Sequence, residues 1–245
     1  MLTAPEKNAI VLLPGMDGTG ELLRPLARRL STYRPVHLID YPVDRFLNYD
    51  QLVLHVKARL PDDRFVILGE SFSGPVAIEI AATDAKAAGL ILASSFARHP
   101  LPTLLAAFTG LLDLRWIPTS VVVAALMGSA AAPEIKQRLR QVLAALPGDI
   151  LRGRARDVLR VDKRNRLNEI TCPMLCLHGR SDRLVRKKYV DEIAAGRPGC
   201  QVHWLDSSHM LLATDAEAAA AVIEAFCGRL DRQAGSADVD RPLTG

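Results

Sequence analysis

Short apolar runs, each closed by turn residues and followed by a stretch with helical spacing, recur along most of the chain. Residues 8–13, 36–39, 65–68, 89–93, 173–178 and 201–205 read as strands. Runs such as AIVLL and FVIL have the unbroken apolarity of a parallel strand covered on both faces. Between the first two, Leu22, Leu23, Leu26, Ala27 and Leu30 share one helical face while Arg24, Arg28 and Arg29 take the other. Leu52, Val53, Val56 and Leu60 mark a second helix, and residues 75–82, 187–195 and 216–230 read the same way. Strand and helix alternate without hairpin signals, which predicts an α/β fold with a mostly parallel sheet, right-handed crossovers and helices on both faces.

From residue 96 to about 168 the strand signals disappear. Residues 104–114, 120–127, 133–146 and 149–161 look helical, with Ile135, Leu139, Val142, Leu143 and Leu146 the clearest apolar face. We read 96–168 as an insertion into a single domain of residues 1–230, and 231–245, which lacks apolar periodicity, as a flexible tail. Residues 116–133 carry no charge, but Pro118, Thr119, Ser120, Gly128 and Ser129 interrupt them and argue against a membrane span.

The net charge of +4 is unevenly spread: ten lysines or arginines stand against three aspartates between Lys136 and Arg166. That basic segment suits a solvated helix face, with an acidic carrier, a coenzyme A thioester or a membrane surface as less favoured partners. No aromatic residues interleave with it, so no nucleic-acid partner is expected. Cys172, Cys176, Cys200 and Cys227 form no CxxC pair or His/Cys ligand spacing, so no metal is expected. The N-terminus lacks the basic and apolar regions of a cleavable signal, and a reduced, cytoplasmic protein is expected.

Candidate chemistry centres on residues 65–74, where a strand, a turn and a helix start follow within ten residues and Ser71 sits in the turn. A serine there is thrust clear of the sheet, and amides of the new helix point back at whatever bonds to it. Gly69-Glu70-Ser71-Phe72-Ser73 resembles the GxSxG nucleophile elbow of the α/β-hydrolase family, except that serine replaces the last glycine and Gly74 comes one place late. The resemblance implies a reduced sheet of about six strands rather than the family's usual eight, and makes the 96–168 insertion a helical cap over the nucleophile.

A serine nucleophile needs a base, and the base needs an orienting acid. Asp182, in the loop after strand 173–178, and His209, after strand 201–205, both lie beyond strand carboxyl ends, on the edge that carries Ser71. The order Ser71, Asp182, His209 is the family's order. Phe72 is the first candidate to supply an oxyanion-binding amide. Met16 is the second, because Pro14-Gly15-Met16 resembles the family's His-Gly-X loop with the histidine missing.

These readings converge on a serine hydrolase that needs no cofactor and cleaves a small-molecule carboxylic ester or thioester. The apolar composition of residues 104–127 favours an apolar acyl or alcohol part. Two alternatives stay open: a non-catalytic receptor for an apolar ligand, and another reaction of the family such as C–C hydrolysis, acyl transfer or perhydrolysis. Other polar residues read as structural: Ser73 as helix packing, Asp17 as a fastener of the glycine-rich turn, Glu70 as a partly exposed turn carboxylate. His37, His55, His99, His178 and His203 have no partner pattern.

Overall fold

The computed structural model describes residues 7–100, 119–128 and 131–239. Six strands, β1 (Ala9–Leu13), β2 (Val36–Leu38), β3 (Phe65–Glu70), β4 (Ala87–Ala93), β5 (Met174–Gly179) and β6 (Gln201–Leu205), form one sheet in the order β2-β1-β3-β4-β5-β6. All five pairings are parallel. Helices α1 (Arg24–Leu30), α2 (Tyr49–Lys57), α3 (Gly74–Thr83), α7 (Lys187–Gly196), α8 (Leu211–Thr214) and α9 (Ala216–Val239) flank it, and α4 (Thr119–Met127), α5 (Pro133–Ala145) and α6 (Gly148–Val158) lie between β4 and β5 in the chain. The helix expected at 104–114 lies outside the described residues.

Successive strand residues face opposite sides, so an unbroken apolar run can fill two cores at once. Val11 and Leu13, Phe65 and Ile67, and Leu90 and Leu92 pack under α2, α3 and α7. Their neighbours Ile10 and Leu12, Val66 and Leu68, and Ile91 and Ala93 pack under α1 and α9. A third, smaller cluster joins Val123 and Met127 of α4 and Leu139 of α5 to Leu22 and to Met210, beside His209. Local signals fix several helix starts: Asn48 and Gln51 close a reciprocal capping box on α2, and Pro133 opens α5.

Register decides where the loops emerge. Leu13 pairs with Gly69, Gly69 with Leu92, Leu92 with Cys176 and Gly179 with Leu205, so the strands end level at one edge. The strand order reverses direction at β1, which leaves a crevice between the loops after β1 and β3.

The last helix continues past Leu230, where the sequence places the start of a flexible tail. Asp231, the first residue of that segment, is buried. Its Oδ1 accepts from the Asn8 backbone N–H (3.2 Å) and Nδ2 (2.8 Å), and its Oδ2 from Arg34 Nη2 (3.1 Å). Arg34 also donates to both oxygens of Glu224 (2.7 and 3.0 Å) and to the Asn8 carbonyl (2.9 Å). Removing one partner of a buried ion pair strands the others, so Arg34→Leu is expected to lower stability by about 3–5 kcal/mol. Urea midpoints measure this, and an unchanged midpoint would mean that both carboxylates stay solvated without Arg34.

The end of the basic segment is paired with carboxylates. Lys163 and Arg166 donate to Glu79, and Arg164 to Asp162 and Glu192. Among the described residues no helix is long and apolar enough to cross a membrane, and no group of three or more His, Cys, Asp or Glu could hold a metal.

Candidate active site

At the carboxyl end of β3 the chain turns through Ser71 with φ +47°, in the left-handed region that a non-glycine residue rarely enters, and passes into a short 3-10 turn and α3. Close packing holds this turn. A Cβ on Gly69 would lie 2.7 Å from the Ser73 carbonyl oxygen and 2.8 Å from Ala77 Cβ. A Cβ on Gly74 would collide with the Ser95 hydroxyl, which donates to the Ser71 carbonyl (2.6 Å). Gly74, not residue 73, is therefore where the elbow helix needs a glycine, and the serine of the altered motif is free for another task. Ser73 Oγ donates to the Pro14 carbonyl and accepts from the Tyr41 hydroxyl (2.6 Å), which fastens α3 to the loop after β1. It does more than pack.

The structure brings Ser71, His209 and Asp182 together. Ser71 Oγ lies 2.8 Å from His209 Nε2, and His209 Nδ1 lies 2.8 Å from Asp182 Oδ2. The His209 and Asp182 side chains are 2 % and 1 % exposed, so water does not compete for their bond. The other oxygen of Asp182 accepts from the Leu184 (2.8 Å) and Val185 (2.9 Å) amides, an arrangement local to its own loop. Burial pushes the Asp182 carboxyl up, but the His209 ring and these two amides outweigh it and hold the group below its ordinary value. An ionised Asp182 only accepts, so Nδ1 carries the imidazole proton and Nε2 is left to accept from the Ser71 hydroxyl. Behind the acid, burial pushes His178 down to about 4, so that ring stays neutral at neutral pH.

Each site loop has its own support. Gly179 leaves no room for a Cβ against the Ser207 and Ser208 carbonyls, so the loop carrying Asp182 lies directly on the one carrying His209. The Met210 N–H donates to the Leu126 carbonyl (3.2 Å), which docks α4 beside His209. Phe72 stacks on Tyr49 with ring centroids 4.9 Å apart, and the Tyr49 hydroxyl donates to the Phe72 carbonyl (3.0 Å). Asp17 accepts from the Thr19 amide (3.0 Å) and hydroxyl (2.6 Å), fastening the glycine-rich turn as its position suggests.

Glu70 departs from its reading as a partly exposed turn carboxylate: it is 2 % exposed. As the last residue of a strand covered on both faces, it points under the loop after β1, where Oε2 accepts from the Gly15 amide (3.1 Å). Burial pushes its carboxyl up to about 8; the Asp17 charge adds to the shift and the Gly15 amide offsets part of it. Between its ordinary value of 4.5 and about 8 the folded state keeps a proton that the unfolded chain has released, so stability falls as pH rises through that window. Glu70→Gln is expected to flatten the decline, gaining on the order of a few kcal/mol over wild type at pH 9. Urea midpoints at pH 5 and 9 test this; an equal decline in both proteins would place its source elsewhere.

Sequence reasoning missed the roles of Ser73 and Glu70, and also Arg154. The Arg154 side chain is buried at 1 % exposure and bonds the carbonyls of Met16, Asp17 and Pro42. Its only signal was membership of the basic segment.

Known proteins resemble the chain over most of its length. Pimeloyl-[acyl-carrier protein] methyl ester esterase of Citrobacter koseri is 29% identical over 209 residues, covering 77% of this chain and 81% of that protein. Among solved structures, the enol-lactonase from Burkholderia xenovorans LB400 superposes with a TM-score of 0.78 at 19% identity, over 90% of this chain and 91% of its own. The esterase EaEST from Exiguobacterium antarcticum gives 0.79 at 14%, over 91% and 93%. Residues 10–224 match the model of the alpha/beta hydrolase family, and the chain belongs to that family.

Proposed function

We propose that this protein is a serine hydrolase that cleaves a carboxylic ester or thioester through an acyl-enzyme. The observation that carries the reading is the unbroken relay from Ser71 Oγ through His209 to Asp182, with both links at 2.8 Å and the serine held in a left-handed turn. Ser71 attacks the substrate carbonyl while His209 Nε2 takes its proton. The amides of Met16 and Phe72 stabilise the oxyanion of the tetrahedral intermediate, each worth on the order of 3 kcal/mol. Collapse expels the alcohol or thiol, which leaves with the proton from His209. Water, deprotonated by the same imidazole, then releases the acid and restores Ser71.

The curated relatives are named for the methyl ester of pimeloyl-[acyl-carrier protein], which makes a carrier-bound acyl ester the first substrate to try. In this chain Arg138 and Arg140 of α5, with Arg156 and Arg160 at and just after α6, remain exposed and suit an acidic carrier. The α4 to α6 segment acts in this reading as a cap, and its apolar residues favour an apolar acyl part.

A fluorophosphonate probe tests the serine directly, on wild type and Ser71→Ala side by side. Labelling of wild type alone supports the reading, and a panel of methyl esters and thioesters of graded chain length, free and carrier-bound, then defines the substrate. Equal labelling of both proteins would overturn it by placing the reactive nucleophile elsewhere, and no labelling of a folded wild type would overturn it in favour of a ligand receptor.

A further inference from the structure

The turn that contains the Met16 amide is only partly held by its own bonds, from Thr19 to Asp17 and from the Gly18 amide to the Gly15 carbonyl. It runs Pro14-Gly15-Met16-Asp17-Gly18-Thr19-Gly20, with three glycines in seven residues, and Gly18 and Gly20 adopt φ of +73° and +69°. Glycine leaves φ and ψ free, so an amide in such a turn is aimed only if neighbouring peptide planes are held from outside. Because each peptide unit is rigid and planar, fixing a carbonyl also fixes the amide in the same plane.

Those anchors can be followed plane by plane. The Pro14–Gly15 plane is held at both ends, its carbonyl by Ser73 Oγ and its N–H by Glu70 Oε2 at 3.1 Å. Next comes the plane bearing the Met16 N–H, whose Gly15 carbonyl accepts from the Gly18 amide at 3.0 Å, a bond internal to the turn. The two planes after it are held from outside by one side chain: Arg154 Nη1 donates to the Met16 carbonyl at 2.8 Å and to the Asp17 carbonyl at 2.7 Å. The Met16 amide is thus clamped between the elbow unit that carries Ser71 and a single arginine from α6.

Arg154 is itself held from several sides. Nη2 donates to the Pro42 carbonyl at 2.9 Å, the guanidinium lies 5.8 Å from the Tyr41 ring centroid, and a Cβ on Gly18 would fall within 2.8 Å of three guanidinium atoms. Gly18 therefore serves two ends, its positive φ and the close approach of the guanidinium. Tyr41 closes the frame, its N–H donating to the Gly18 carbonyl at 2.7 Å and its hydroxyl to Ser73. The position of α6 does not depend on Arg154 alone. Asp157 Oδ2 accepts from the Tyr49 amide at 3.1 Å, and Ile150 and Val158 are buried.

We propose that Arg154 is a positioning residue that aims the Met16 amide at the oxyanion, so that stabilisation of the tetrahedral intermediate depends on a side chain delivered by the segment between β4 and β5. This rests on the serine-hydrolase reading above. Arg154 touches no reacting atom; it acts through two carbonyls of the turn. The planar fork matters because Nη1 serves the two turn carbonyls while Nη2 is fixed by Pro42; a lysine ammonium can reach the turn but has no second nitrogen to lock its direction.

The test compares Arg154→Met and Arg154→Lys with wild type on a short, uncharged ester. A loosened oxyanion donor is expected to lower kcat by about 10²-fold in Arg154→Met and roughly tenfold in Arg154→Lys, with KM within about twofold of wild type. A trifluoromethyl ketone, which adds Ser71 to form a tetrahedral oxyanion, should lose affinity in parallel with kcat. A purely structural role would lower stability and leave kcat and ketone affinity per folded molecule unchanged; that result, or a loss confined to KM, would overturn the proposal. If the methionine variant does not fold, the lysine variant decides: wild-type kcat and ketone affinity there would equally overturn it. Ser71→Ala, run beside them, separates the two levels. Turnover that survives without Ser71 refutes the serine-hydrolase reading, whereas an inactive Ser71→Ala with fully active Arg154 variants refutes only the role of Arg154.

Discussion

Ser71→Ala is expected to lower ester turnover by about 10⁶-fold, the scale seen when a hydrolase loses the serine of such a relay. The effect is large because, among the described residues, neither neighbouring serine can stand in. Ser73 points away, its hydroxyl committed to Pro14 and Tyr41, and Ser95 is bound to the Ser71 carbonyl. Initial rates with an activated ester measure the loss, and residual turnover above about one per cent would move the nucleophile elsewhere. The same position carries a stability signature. At φ +47° a non-glycine residue is strained by about 1–2 kcal/mol, so Ser71→Gly should raise the unfolding midpoint while Ser71→Ala should not. Inactivity gained together with stability is what a strained catalytic turn predicts.

Asp182→Asn is expected to lower kcat by roughly 10⁴-fold with the fold intact, following the serine-protease precedent. The carboxylate accepts on both oxygens, from the Leu184 and Val185 amides on one and from His209 Nδ1 on the other. An asparagine has one accepting atom for these two places. If its oxygen keeps the loop amides, its NH₂ faces Nδ1, the imidazole proton moves to Nε2, and His209 can no longer accept from Ser71. The expected signature is a fall in kcat with KM preserved and circular dichroism unchanged. Near-normal turnover would assign the orienting acid to another residue.

The four inner strands were legible because burial on both faces leaves an unbroken apolar run, and the run in residues 65–68 marks β3 even though the strand extends two residues into the polar Gly69-Glu70. The three-residue relay was legible for a different reason. Parallel topology delivers every post-strand loop to one edge, so chain order and loop position constrain where an acid and a histidine can meet. Arg154, Glu70 and Ser73 were not legible as supports of the turn after β1. Each bonds a backbone atom 55 to 138 residues away, and a backbone atom leaves no imprint on residue type. The extension of the last helix was hidden in the same way: residues 231–239 are too polar to show a face, and what makes Asp231 part of the fold is Arg34, 197 positions earlier.

That fastening of Asp231 to Arg34 and Asn8 also bears on how the protein comes apart. It joins positions 197 and 223 residues apart, and the sheet that holds them at this spacing is made by the strands between. A contact that closes so large a loop forms after those strands have paired, because its entropy is offset only once they hold the ends near each other. Interactions absent from the folding transition state act on the rate of opening. The strap between Asn8, Arg34 and Asp231 is therefore expected to act as a latch on unfolding: severing it should shorten the lifetime of the native state and leave the speed of refolding nearly as it was, which unfolding and refolding rates of Arg34→Leu measure.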